Sequence, residues 1–397
     1  MLTRTAVLVA CLALTGCGAL LRQPVPVELI GQTQVPGMPG IRAAALERNS
    51  PLEADLIASF AQESASDFPA QPDGRVRYAN LILSGGGSNG AFGAGLLNGW
   101  SSSGKRPLFK IVTGVSTGAL MAPFAFLGAQ YDAELRRFYT TTDSRSVFSV
   151  RPLLQILGGE SIAYSGPLAA TIAAHIDDAF LQQIAAEHRR GRRLYVGTTD
   201  LDAQAFVVWN LGAIAASGHP GAVDLFRRVM LASASIPVAF PPVLFEVEAG
   251  GGLFDEMHVD GGVGTRMFYS GGVFNFAEAQ RAAGRKTLGV EELYVIHNGQ
   301  LRPAPAQTPR TLRGVAGRSL ATIGKSAALN DLFRIFLLGE RGGATVRWIT
   351  LPEGFSTESE EIFDPVQMTR LFETGLEYGR HGPNWFERTP ALSEASR

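Results

Sequence analysis

Two serines in this chain sit between glycines at the spacing of a nucleophile turn. Gly114-Val115-Ser116-Thr117-Gly118 follows the short apolar run 108–113 and precedes a helix-like stretch; Gly86-Gly87-Ser88-Asn89-Gly90 follows the apolar run 78–84. A serine hydroxyl on a sharp strand-to-helix turn is placed to attack a carbonyl, provided another group takes its proton. With 46 glycines in the chain the spacing alone is weak, and context has to separate the two. Gly114 and Gly118 flank Ser116 where such a turn needs residues without side chains. Ser88 lies inside a polyglycine turn, where its N–H is better placed to donate than its hydroxyl to attack. On the motif alone, Ser116 fits either a nucleophile or the capping serine of a plain turn.

The proton acceptor has several candidates. An α/β-hydrolase order of Ser, acid, His is formally met by Ser116, Asp260 and then His297 or His381. His175 and His188 fall on polar helical stretches and are expected at the surface; His219 precedes Pro220 in a loop. His297 closes an apolar strand, and His381 lies in a helix-terminating Gly379-Arg380-His381-Gly382-Pro383. Asp260 has a stronger setting. Met257-His258-Val259 forms a strand-like piece, and Gly261 and Gly262 follow at once, so the carboxylate can reach a serine directly. An ordinary Asp-Gly hairpin turn has the same appearance.

The glycine loop 85–90 has its own two readings. A glycine turn between strand and helix leaves N–H groups free at a helix N-terminus, where negative charge binds. Gly85, Gly87 and Gly90 satisfy G-x-G-x-x-G, but a dinucleotide site needs an acid about twenty residues on, and none occurs between Gly90 and Asp132. The other reading is an oxyanion hole beside a serine.

These residues need elements to hold them. Apolar strands near Leu81, Ile111, Tyr195, His258, Tyr294 and Val346 alternate with helical segments 91–100, 168–189, 223–232 and 314–338. That alternation predicts a three-layer α/β/α fold with a central, mostly parallel sheet, both candidate residues lying at strand ends on one edge.

The N-terminus belongs to a different category. One positive charge at Arg4, an apolar run 6–14 and small residues up to Leu14-Thr15-Gly16-Cys17 make a secretory leader over 1–16, too short to span a bilayer as a permanent helix. Its end resembles the lipobox of bacterial lipoproteins, which implies that Cys17 is lipidated. Gly18, rather than Asp, points to the outer membrane. Cys11 and Cys17 are the only cysteines, so the mature chain is expected to carry no disulfide, thiolate metal site or Cys nucleophile. Residues 17–75, punctuated by seven prolines, are expected to be a tether with one short helix; 76–385 form the catalytic body and 386–397 a flexible tail. The chain has 397 residues, with 35 basic against 36 acidic. That balance argues against a nucleic-acid partner and gives no overall field toward an anionic membrane.

Taken in order, four pieces resemble the patatin-like phospholipases over residues 78–383. Gly85-Gly86-Gly87-Ser88-Asn89-Gly90 looks like that family's oxyanion loop, Gly114-Val115-Ser116-Thr117-Gly118 like its nucleophile elbow, and Asp260-Gly261-Gly262 like its catalytic Asp motif. Residues 232–242, ASASIPVAFPP, resemble its proline-rich block. The resemblance implies a lipid acyl hydrolase with a Ser116–Asp260 dyad, no metal or other cofactor, and a lipid or phospholipid ester substrate. Burial is expected to raise the Asp260 pKa. One position departs: Asn89 stands where many members carry Arg or Lys. Apolar stretches 153–157 and 332–338 fit an acyl channel, a membrane contact or plain core. A triad esterase using His297 or His381, and an inactive lipid- or partner-binding envelope lipoprotein, are the competing readings. Oligomeric state is not legible.

Overall fold

The computed structural model describes residues 22–45, 50–272, 274–356, 359 and 361–390. The proposed leader and Cys17 therefore lie outside the described residues, as does the end of the expected tail from residue 391. The elements that build the layers are, in chain order, β1 (Arg42–Ala44), α1 (Ser50–Gln62), β2 (Arg77–Leu83), α2 (Gly90–Ser102), β3 (Phe109–Val115), α3 (Thr117–Leu127) and α4 (Asp132–Thr141). They continue with α5 (Gly166–His175), α6 (Asp178–Arg189), β4 (Arg193–Asp200), β5 (Ala205–Asn210), α7 (Ala222–Ser233), β6 (Val243–Ala249) and β7 (Gly252–Asp260). The last four are β8 (Val290–His297), α8 (Leu312–Gly342), β9 (Thr345–Thr350) and α9 (Pro365–Gly379).

The sheet runs β1-β5-β4-β3-β2-β8-β9, and its five strands from β4 to β9 are parallel. β1 and β5 add antiparallel strands at one edge. The parallel strands are almost continuously buried because helices cover both faces. Leu81, Leu83, Val112 and Val196 pack with α2, α3 and α9 on one side. On the other side, Tyr78, Ile111 and Tyr195 meet α1, while Ile82, Leu293 and Val295 meet the C-terminal half of α8. The three-layer, mostly parallel arrangement is the one the alternation predicts.

The register of β4 decides what happens at the C-terminal edge. β3 pairs along β4 until Val115 stands opposite Gly197. β4 continues three residues further, and there β7 takes the vacated side, antiparallel, with Asp260 opposite Thr198. Val115, which ends β3, and Asp260, which ends β7, thus occupy consecutive places along one side of β4.

The described residues of 22–75 are not a tether. Arg22 is paired with Asp202 and Asp255, β1 hydrogen-bonds β5, and Leu52, Leu56 and Phe60 of α1 are buried. Glu63, just past α1, accepts from Lys110, Tyr78 and Arg285 in the interior. Seven prolines suggested a linker, yet the apolar face of α1 is a fixed part of one helix layer. Two other expectations also shift. The helical stretch 168–189 is two helices, α5 and α6, the second capped by Asp177, whose side chain accepts from Phe180 N. Phe386, assigned to the tail, forms backbone hydrogen bonds with Trp348.

Candidate active site

Ser116 stands between the end of β3 and the start of α3 with φ 55° and ψ −123°. A non-glycine residue in that region costs about 1–3 kcal/mol and persists only where its surroundings hold it. Three contacts do so. The Ser116 N–H donates to Ser233 Oγ at 2.9 Å, and Ser233 Oγ donates to the Gly197 carbonyl at 2.6 Å. The Ser116 carbonyl accepts from Ala119 and Leu120, the first turn of α3. The flanking glycines are dictated by crowding: a Cβ on Gly114 would lie 2.4 Å from the Gly118 carbonyl oxygen, and one on Gly118 2.4 Å from that of Leu83.

The Ser116 hydroxyl donates to Asp260 Oδ2 at 2.6 Å. The other carboxylate oxygen, Oδ1, accepts from Gly262 N at 2.7 Å, which orients the group. A Cβ on Gly261 would fall 2.4 Å from the Gly197 carbonyl, so only glycine lets the chain turn this closely over β4. Asp260 is buried, and desolvation raises its pKa to about 6, against the opposing pull of the Ser116 and Gly262 hydrogen bonds and the Arg266 charge.

The glycine loop packs directly on this pair. A Cβ on Gly85 would touch Ser116 Cβ at 3.2 Å, and one on Gly90 would strike Thr117 Oγ1 at 2.1 Å. The six loop residues are not equivalent donors. Gly85 N–H is used by the Arg266 carbonyl, Asn89 N–H by Gly86, and Gly90 N–H by Gly87 and Ser88. Gly86 and Gly87 keep N–H groups with no partner among the described residues, and Gly87 lines the same pocket as Ser116. The side chains of Ser88 and Asn89 make no hydrogen bond among the described residues; in particular Ser88 has neither a carboxylate nor an imidazole beside it.

No histidine bonds the Ser116 hydroxyl among the described residues. His297, the candidate base that closes β8, is buried with Nδ1 3.1 Å from Ser84 Oγ, and burial pushes its pKa down to about 3. His381 lies beyond the end of α9, where its carbonyl accepts from Lys105. His188 is also interior, facing Asp55. His258 bridges Thr198 and Glu256; Glu256, His258 and Asp200 form an acidic–imidazole cluster in which Arg42 pairs with Glu256.

From Ser116 an apolar pocket of about 470 Å³, counted to its open mouth, extends between Leu120, Phe138, Tyr139, Leu168, Phe240 and Met368. Neither apolar stretch suggested by the sequence lines it. Leu332, Ile335 and Phe336 are core, and Leu153 and Leu154 are exposed on a short helix, Leu153–Leu157.

Residues 81–270 match the family model of the patatin-like phospholipases. They are a patatin-like phospholipase domain. Among solved structures the chain is similar to VipD from Legionella pneumophila, at 12% identity and a TM-score of 0.38, over 78% of this chain and 68% of that one. Comparison with curated proteins gives no match. The matched span contains the glycine loop, Ser116 and Asp260, so the patatin-like domain implies lipid acyl hydrolysis as its class of activity.

Three supports of the patatin-like site escaped the sequence reading. Ser233 holds the elbow N–H. Asn298 clamps the loop: its Nδ2 donates to the Ser84 carbonyl at 2.9 Å and its Oδ1 accepts from Gly93 N at 3.1 Å. Arg266 presents the carbonyl that fixes Gly85 and a guanidinium whose Nε is buried with no hydrogen-bond partner among the described residues. Ser233 sits in the block 232–242, which was the one available signal.

Proposed function

We propose that this protein is a lipid acyl hydrolase that cleaves carboxylic esters through a Ser116 acyl-enzyme, with Asp260 as the base. The observation that carries the reading is the 2.6 Å hydrogen bond from Ser116 Oγ to a buried Asp260 carboxylate. Asp260 takes the hydroxyl proton as Oγ bonds to the ester carbonyl carbon. The tetrahedral oxygen is held by the N–H groups of Gly86 and Gly87, pre-aimed and needing no reorganisation. Collapse breaks the ester C–O bond, and protonated Asp260 returns the proton to the departing alcohol. Water then adds to the acyl-enzyme, giving one proton to Asp260, and the acid leaves as the proton passes back to Ser116 Oγ.

A base needs a pKa not far below the working pH, and burial supplies that to Asp260. The pocket running from Ser116 is lined by apolar side chains and suits a fatty acyl chain, so long-chain lipid and phospholipid esters are the substrates we assign.

The same reading places the protein at the bacterial envelope, as an outer-membrane lipoprotein anchored through Cys17. Four residues separate Cys17 from Arg22, which is paired with Asp202 just beyond the end of β4. That spacing spans at most about 18 Å, so an anchor at Cys17 holds the active-site edge of the sheet close to the bilayer.

The test is fatty-acid release from phospholipid vesicles and from a short chromogenic ester by wild type, Ser116→Ala, Asp260→Asn and Ser88→Ala. We expect losses of a thousandfold or more for the first two variants and retention within about tenfold for the third. A folded wild type that turns over neither ester overturns the reading in favour of a binding lipoprotein.

A further inference from the structure

The near-neutral total conceals a local excess. From residue 300 to residue 330 the chain carries Arg302, Arg310, Arg313, Arg318 and Lys325, and no acid. This stretch leads into α8 and forms its N-terminal half. The C-terminal half of the helix is core, with Ala328, Leu332, Ile335 and Phe336 buried against β8 and β9. The N-terminal half projects from that footing. Leu312, Val315, Leu320 and Ile323 are 89%, 53%, 68% and 63% exposed. At the helical spacing these four fall within about 140° of the circumference, and Arg318 and Lys325 fall outside that arc. Neither cation has a carboxylate partner among the described residues: Arg318 donates to the Ala304 carbonyl and Lys325 to that of Arg302.

An apolar stripe beside unpaired cations fits one kind of surface. Nucleic acid would use the charges and leave the stripe in water, whereas an apolar protein groove would leave the charges unmatched. An anionic bilayer uses both, taking the stripe into the headgroup boundary and the cations against the phosphates. The projecting half also ends beside the candidate active site. A Cβ on Gly324 would lie 3.3 Å from Arg266 Nη1, and the Arg266 side chain packs over Gly262, whose N–H orients Asp260.

We propose that residues 312–325 of α8 are an interfacial helix that lies on an anionic lipid bilayer and holds the Ser116–Asp260 edge against it. That this delivers substrate rests on the hydrolase reading; the membrane contact itself does not.

The test uses the full chain with Ser116→Ala, so that no lipid is consumed. Cys11→Ala and Cys17→Ala leave Leu320→Cys as the only thiol, for an environment-sensitive NBD label. Phosphatidylcholine vesicles with and without phosphatidylglycerol are the probes. The NBD emission is expected to rise and shift blue with at least tenfold tighter binding to the anionic vesicles, weakening as salt is added. Arg318→Gln with Lys325→Gln is expected to lower that affinity by tenfold or more, with the circular dichroism unchanged. A label that stays in water, equal binding to both vesicles, or full affinity in the charge variant overturns the proposal. Turnover of the short soluble ester by wild type tests the hydrolase reading separately.

Discussion

The hydroxyl of Ser233 sits between Ser116 and Gly197, accepting the N–H of the first at 2.9 Å and donating to the carbonyl of the second at 2.6 Å. It joins the strained turn after β3 to the neighbouring strand β4 and fixes the backbone of Ser116 without touching its hydroxyl. Ser233→Ala leaves a buried N–H and a buried carbonyl unmatched, a cost of about 2–4 kcal/mol. A lower urea midpoint is expected. With the turn free to relax, kcat is expected to fall ten- to a hundredfold, about 1.4–2.8 kcal/mol, with KM little changed. Equal loss in KM would mean that Ser233 acts on substrate binding instead.

The Asp260 pKa of about 6 predicts the pH profile. With Asp260 as the proposed base the carboxylate is the active form, so kcat/KM should climb with pH, pass half-maximum near 6 and level off above 7. Arg266 lowers that pKa, so Arg266→Gln should move the rise to higher pH. The same shift acts on stability. The native state keeps the Asp260 proton from about pH 4 to 6, where the unfolded chain has lost it, so this group's contribution to stability falls as pH rises through that window. Asp260→Asn should therefore be the more stable protein at pH 7, by on the order of 3 kcal/mol, and about equal to wild type near pH 4. Urea unfolding at the two pH values checks it.

His297 separates dyad from triad chemistry. It is neutral across the working range, and its Nδ1 faces Ser84 Oγ. His297→Gln is expected to keep kcat/KM on the short ester within about tenfold, with the acid rise still near pH 6. Loss comparable to that of Ser116→Ala would make His297 the base.

Glu63 tests whether residues 22–75 belong to the folded body. It takes Lys110, Tyr78 and Arg285 on one buried carboxylate, and Lys110 itself is held down to a pKa of about 8 by its burial. Glu63→Ala strips a buried cation of its partner and should cost about 3–5 kcal/mol. A true tether would tolerate the change with no shift in the thermal midpoint.

Local geometry was legible before any fold was known. Gly114 and Gly118 stand where a Cβ would collide with a backbone carbonyl, and Gly261 lies where β7 turns over β4; such needs are written into residue type. The alternation of apolar strands and helices likewise carried the three-layer arrangement, because each parallel strand is buried on both faces. The exposed half of α8 was harder to see, since its three cations, and Arg302 and Arg310 just before it, vanish in the chain total.

What the sequence by itself determined, then, was which serine and which aspartate had the local setting for chemistry, and what kind of sheet would hold them. That Ser116 touches Asp260, and not His297, was decided by tertiary structure alone. The contact spans 144 residues and depends on β4 outlasting β3 by three residues, so that β7 can enter beside it. The burial of His188 and His297 and the docking of α1 have the same origin. Side-chain periodicity is set within a few residues, whereas register and layer packing are set by strands and helices far apart in the chain.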